Sequence, residues 1–145
     1  MGSRRQAREQ ALQLLYEIDI GQSSLEGALR RFWEDEEQPT DPDVSEFARV
    51  LARGATEHAV RIDELITEAS INWKINRMSY VDRNILRLAV FEFLDCEDIP
   101  AMVSMNEAIE LGKRFGTSES SSFINGILDR IARNLGLTSR PKGTK

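Results

Sequence analysis

At 145 residues, with 41% apolar and 30% charged positions, the chain is long enough for one core and too apolar to be wholly disordered. No run approaches the roughly 18 uninterrupted apolar residues of a membrane span. MGSRRQAR at the N-terminus has neither the apolar stretch of a signal peptide nor, with Gln6 in place, the hydroxyl of a myristoylation site.

The formal charge of −5 speaks against nucleic acid only as an average. Residues 1–72 carry 8 Lys/Arg against 15 Asp/Glu, and residues 73–145 carry 11 against 9. Much of the acid lies in EDEEQPTDPD at 34–43, while Arg4, Arg5 and Arg8 cluster near the start and Lys113, Arg114, Arg130 and Arg133 near the end. Binding responds to charge within a Debye length, so a local basic face can still hold phosphates.

Apolar residues recur at helical spacing throughout, without strand alternation. Ala7, Ala11, Leu14, Leu15 and Ile18 predict a first helix stopped by Gly21, read as a left-handed cap. Ser23 and Glu26 form a capping-box pair for a second helix that turns Leu25, Ala28, Leu29 and Phe32 inward. The acidic loop ends in Asp41-Pro42, a cap and a first-turn proline. A long stripe follows, through Val44, Phe47, Ala48, Leu51, Ala55, Ala59, Ile62, Leu65 and Ile66, with Gly54 marking a bend or a close crossing.

SINWKINRM at 70–78 breaks the pattern and reads as a joint between two lobes. Ser79 with Asp82 caps a helix that is apolar on two faces, the mark of a buried central helix. Ser104 with Glu107 caps the next helix, which Gly116 ends. The last helix carries Phe123, Ile124, Ile127, Leu128, Ile131 and Leu135 up to Gly136. The expected fold is an all-α bundle of about seven helices, one domain over 1–137 with lobes at about 1–70 and 71–137, and a mobile tail at 138–145.

No catalytic constellation emerges, and neither an enzyme, a cofactor nor a metal is expected. His58, the single histidine, falls on the apolar stripe as a packed or half-buried side chain rather than a catalytic one. Cys96 has no partner for a disulfide or a zinc site, as in a reducing cytoplasm. Neither GxxxxGK[ST] nor GxGxxG occurs. Glu34–Glu37 reads as a solvated acidic run. Asp41, Asp43 and Ser45 open like a calcium loop but fail at Glu46, where glycine is required.

Binding signals are better. Arg4 and Arg8 are four apart on one helix face, suited to phosphates, and Tyr16 follows about two turns beyond Arg8. Tyr16 either stacks on an unpaired base or packs on a neighbouring helix. Thr117, Ser118 and Glu119 lie where the last helix begins, and free N–H groups there attract anions. Phe123, one turn later, is either a stacking face or a core residue in line with Ile127 and Ile131. Gly126 inside that helix costs about 1 kcal/mol relative to Ala, explained equally by a close crossing or by a ligand.

Three segments, RRQAREQALQLLY at 4–16, VDRNILRLAVFEFL at 81–94 and IPAMVSMNEAIELGKRFGTSESSSFINGILDRIAR at 99–133, resemble the bacterial transcription antitermination factor NusB family. The resemblance covers nearly the whole chain, and Asn106–Glu110 and Phe123–Asp129 are its most specific parts. It implies an all-helical protein that recognises the single-stranded boxA element of ribosomal RNA leader transcripts. Recognition is shared with NusE, a ribosomal small-subunit protein, and the pair joins NusA, NusG and RNA polymerase to pass terminators.

The RNA surface so implied comprises Arg4, Arg5, Arg8, Tyr16, Lys113, Arg114, Thr117, Ser118, Glu119, Ser122 and Phe123. Tyr16, Val81 and Asp82 fall at the NusE interface, although Asp82 also completes the cap begun by Ser79. Two departures from the family pattern matter: Gln6 interrupts the N-terminal arginine run, and Ser122 stands where a lysine often precedes the Phe. Fewer cations release fewer counterions, so weak binding to RNA alone and tighter binding with NusE are expected. Arg8→Glu is expected to weaken RNA binding without unfolding.

Two rivals are an RNA-binding domain of a ribosomal RNA methyltransferase and a homo-oligomeric helical scaffold with no RNA role. The former is expected to continue past Lys145 into a glycine-rich cofactor domain. The latter would use a homodimer surface that overlaps the binding sites.

Overall fold

The helical spacing is realised in the three-dimensional structure, a computed structural model that describes residues 3–21, 23–34 and 41–137. Among the described residues there are seven α-helices and no strands: α1 Ser3–Gly21, α2 Leu25–Glu34, α3 Pro42–Glu57, α4 Ala59–Ala69, α5 Tyr80–Asp95, α6 Ala101–Phe115 and α7 Ser120–Asn134, with a short 3₁₀ turn at Ile75–Arg77. The expected mobile tail at 138–145 and the middle of the acidic loop, 35–40, lie outside the described residues.

α5 is the central helix, as its two apolar faces predict. It buries Ile85, Leu86, Leu88, Ala89, Val90, Phe91 and Phe93, and packs against α1, α3, α4, α6 and α7. One continuous core runs from Ala11 to Ala132 and draws on every α-helix. Gly54 marks a close crossing: a Cβ there would overlap the ring of Phe91.

The bend in the stripe comes four residues later, at His58, where α3 ends and α4 begins. The His58 side chain is 47% exposed at this joint, with its ring 5.9 Å from that of the buried Phe91. Its Nδ1 lies 3.0 Å from the Gly54 carbonyl and its Nε2 3.7 Å from Asp95.

Several helix ends match the expected caps. Asp41 accepts from the Asp43 N–H at 2.8 Å with Pro42 behind it, and Ser79 Oγ accepts from the Asp82 N–H at 3.0 Å. Gly136, at φ 74°, closes α7 in a Schellman motif, with Leu137 N bonded to Ala132 O and Gly136 N to Arg133 O.

Three assignments need correction. Ser24, not Ser23, caps α2 through the Gly27 N–H; Gly27 has no side chain to close a box, and Glu26 turns to Arg53. Gly21 closes α1 without the left-handed conformation, since Gly136 alone among the described glycines has a positive φ. Ser104 is not a cap, because α6 already begins at Ala101 behind Pro100 and buries Ser104 in its first turns.

Candidate nucleic-acid interface

α1 and α6 meet along a seam of charge, and the innermost pair sits beneath it. Arg8 shares a buried helix face with Leu12 and Leu15 and is 4% exposed. Its Nε and Nη2 donate to the two carboxylate oxygens of Glu92 on α5, each at 2.8 Å. Ser104 Oγ donates to the same carboxylate at 2.6 Å.

This corrects the expectation that Arg8 is a free phosphate ligand. Its guanidinium is enclosed, so Arg8→Glu would set a second carboxylate against Glu92 in the core. The signal was available in the sequence: a charge at i, i+4, i+7 with two leucines, and an acid inside the apolar run of α5.

The outer cations of the seam are exposed but engaged. Arg4 lies over the Phe47 ring, 4.6 Å from its centroid, with Nη2 3.5 Å from Asp98. Arg5 donates twice to Glu107, at 3.0 and 2.9 Å. The hydrogen bonds from Arg5, opposed by partial burial and reinforced by its charge, hold the Glu107 carboxyl below the usual carboxylate range. Arg114 donates to Glu9 at 2.8 Å, and Lys113 lies 3.4 Å from Glu110. Arg5, Glu9, Glu107, Glu110, Lys113 and Arg114 line one groove of about 180 Å³.

A second groove, about 400 Å³ and mostly apolar, adjoins the first through Glu9. Tyr16, Gln10, Leu12, Gln13, Val81 and Phe115 line the rest of it. Tyr16 is 43% exposed and meets Tyr80 edge-on, with centroids 6.2 Å apart. The structure thus brings Tyr16 and Val81 together, whereas Asp82 lines a different cavity.

That third cavity, of about 240 Å³, is formed by Trp73, Arg77, Met78, Ser79, Asp82, Thr117, Glu119 and Phe123. Phe123 is half-buried. It packs on the core and meets the exposed Trp73 edge-on, 6.3 Å between centroids at 84°. The turn before α7 is closed on itself: Ser120 Oγ accepts from the Thr117 N–H at 2.9 Å, and Thr117 Oγ1 accepts from the Glu119 N–H at 3.3 Å. Ser118 and Ser122 are exposed beside it. Gly126 is exposed as well, and a Cβ added there would meet nothing within 4 Å, so no helix crossing explains it.

Sequence reasoning missed two groups. Trp73 and Arg77 are hidden in an irregular segment that reads only as a joint. Three polar letters of VDRNILR serve the fold: Arg83 donates twice to Asp19 at 2.8 and 2.9 Å, Asn84 once at 3.0 Å, and Arg87 joins Asp19 to Asp63. Burial pushes the Asp19 carboxyl up, but the hydrogen bonds of Arg83 and Asn84 and the charges of Arg83 and Arg87 outweigh it and leave it lowered. Burial, then the neighbouring Glu92 carboxylate, pushes the Cys96 thiol up to about 11, which keeps it protonated and unreactive.

Comparison with known proteins shows the family. A family model described as the NusB family matches residues 5–133. The transcription antitermination protein NusB of Myxococcus xanthus is 49% identical over 134 residues, which is 91% of this chain and 96% of that protein. Its counterpart in Pelotomaculum thermopropionicum is 50% identical over 132 residues, 91% and 90% of the two chains. Among solved structures, T. maritima NusB matches with a TM-score of 0.81 at 41% identity, covering 90% of each chain. A crystal structure of antitermination factors NusB and NusE in complex with double-stranded RNA matches with a TM-score of 0.83 at 27% identity, over 92% of this chain and 98% of that one.

Proposed function

The chain belongs to the NusB family, and from that premise we propose that it is an RNA-binding transcription antitermination factor that recognises single-stranded boxA RNA of ribosomal RNA leaders jointly with NusE. The family is one of transcription antitermination proteins and not of enzymes. On this reading the protein is an adaptor that presents RNA and joins NusA, NusG and RNA polymerase in a larger complex.

One observation carries the proposal. The three grooves follow one another around the C-terminal end of α6: Lys113 and Arg114 line the first, Phe115 the second and Thr117 the third. A single strand laid along them meets cations for its phosphates, then aromatic faces for its bases, the combination that unpaired RNA requires. Arg4, Arg5, Lys113, Arg114, Thr117, Ser118, Glu119, Ser122 and Phe123 are the RNA contacts of this reading. Tyr16, exposed in the middle groove, serves the strand and, with Val81 and Asp82, NusE, while Arg8 contributes only by holding α1 in place.

Arg5, Lys113 and Arg114 already face carboxylates, so each phosphate must displace an internal acid. Binding to RNA alone is accordingly weak, and NusE supplies the remainder. Titration of labelled boxA RNA with and without NusE across a salt series tests this. The expected result is weak binding alone, a log K against log [salt] slope no steeper than about −3 for four contacts, and marked tightening with NusE. No binding under either condition overturns the reading.

A further inference from the structure

We propose that the Glu9–Arg114 ion pair is a latch shared by the first two grooves, so that RNA and the protein partner help each other to bind by opening the same pair. An RNA phosphate takes Arg114. A basic side chain of the partner, set beside an apolar one, takes Glu9 and the face of Phe115. This rests on the reading of joint RNA binding with NusE and adds to it the residues that couple the two ligands.

The pair stands where the grooves meet. Glu9 is the one described residue that lines both, and among the described residues it is the only charged one on the middle groove. Arg114 lines the first groove, and its Nη1 donates to Glu9 Oε2 at 2.8 Å. The same pair holds the Arg114 guanidinium over the Phe115 ring, 5.5 Å from its centroid, and Phe115 is a wall of the middle groove. One guanidinium thus covers both the acid and the aromatic face that a protein entering the middle groove meets.

The other pairs of the seam lack this arrangement. Arg5–Glu107 and Lys113–Glu110 have both members on the first groove, so opening them for RNA frees nothing for a protein in the second. Arg8–Glu92 is buried. The Arg114 side chain is 63% exposed and that of Glu9 24%, so their pair opens without disturbing the core. Arg5, four positions before Glu9 on α1, is held by both oxygens of Glu107 and does not replace Arg114.

A shared pair fixes the sign of the coupling. Whichever ligand arrives first bears the cost of opening it, and the second binds without that cost. The enhancement equals the strength of the pair and is reciprocal. For a solvent-exposed ion pair it is about threefold in affinity.

The test titrates labelled boxA RNA and NusE against the full chain, each alone and each with the other saturating. Glu9→Gln is expected to tighten RNA alone about threefold and to leave RNA affinity unchanged when NusE is saturating, since there the pair is already open. Arg114→Gln, which removes an RNA contact, is expected to weaken RNA yet tighten NusE alone about threefold. In the Glu9→Gln background the same Arg114→Gln change is expected to leave NusE affinity as it is, because no pair remains to open.

NusE affinity that is unchanged or weaker in Arg114→Gln overturns the inference. So does a tightening that persists in the Glu9→Gln background, which assigns the effect to the field of the arginine and not to the pair. A mutual enhancement as large as that of the wild type in both single variants overturns it as well. In each of these outcomes RNA and NusE still bind, and the proposed function stands. Failure of boxA RNA to bind the wild-type chain with NusE present removes the proposed function itself.

Discussion

The α1–α6 seam and the α5–α7 cavity hold the same kinds of side chain in opposite states. In the seam each of Arg5, Lys113 and Arg114 has a carboxylate within 3.4 Å, and beneath it Arg8 is locked to Glu92. In the cavity Arg77 and Asp82 have no side-chain partner among the described residues although both line the same space. A tally of charges rates the seam as the stronger RNA surface. Availability reverses that order, because a paired cation must give up one partner to gain another. Coulombic exchange between two acids nets little in water, whereas an unpaired group gains the whole interaction.

The largest test of this contrast is at its most committed pair. Arg8→Ala leaves the Glu92 carboxyl in the core with only Ser104 for company, and the expected loss of stability is about 3–5 kcal/mol in urea denaturation. Domains of this size have about 5–15 kcal/mol in total, so the variant is expected to sit near its unfolding threshold. Arg8→Met with Glu92→Leu removes both charges and is expected to recover most of the loss. A loss below about 1 kcal/mol in Arg8→Ala would mean that Arg8 is solvated, returning it to the RNA face.

Acid gives a smaller and graded effect. Asp19 and Glu107 both have lowered carboxyl pKa values, so each contributes stability that is fully present above the unfolded value near 4 and is lost as pH falls through the folded one. Stability should be flat from about pH 5 to 8 and fall below about pH 4, followed by thermal denaturation across pH. Asp19→Asn should remove more of this acid sensitivity than Glu107→Gln, since Asp19 holds three donor side chains and Glu107 one.

How much of this is legible in advance depends on the range of the interaction. Helix number and the central place of α5 can be read from the sequence, because periodicity is local and a helix apolar on two faces must bury both. Caps are legible where a single polar residue is available, as at Asp41 and Ser79. Between the adjacent serines 23 and 24 the choice turns on Arg31, which takes Ser23.

Arg8 misleads because its partner lies 84 positions away, and a basic run looks the same whether it ends in solvent or under a helix. Trp73 and Arg77 carry no periodic signal, since the segment around the 3₁₀ turn obeys no repeat. Only folding sets them opposite Asp82 and Phe123.

The gentlest change sharpens the contrast most directly. Glu9→Gln and Glu107→Gln remove the acids facing Arg114 and Arg5 without altering side-chain size. If the seam binds weakly because its cations are engaged, freeing them should tighten boxA RNA modestly and steepen the salt slope by up to about 0.7 for each cation released. RNA sequence preference should not change, because phosphate contacts position a strand without reading it. Tightening without a steeper slope would mean that the removed carboxylates had merely repelled RNA at a distance. In that case it is the net field of the seam, and not the pairing of its cations, that separates it from the cavity.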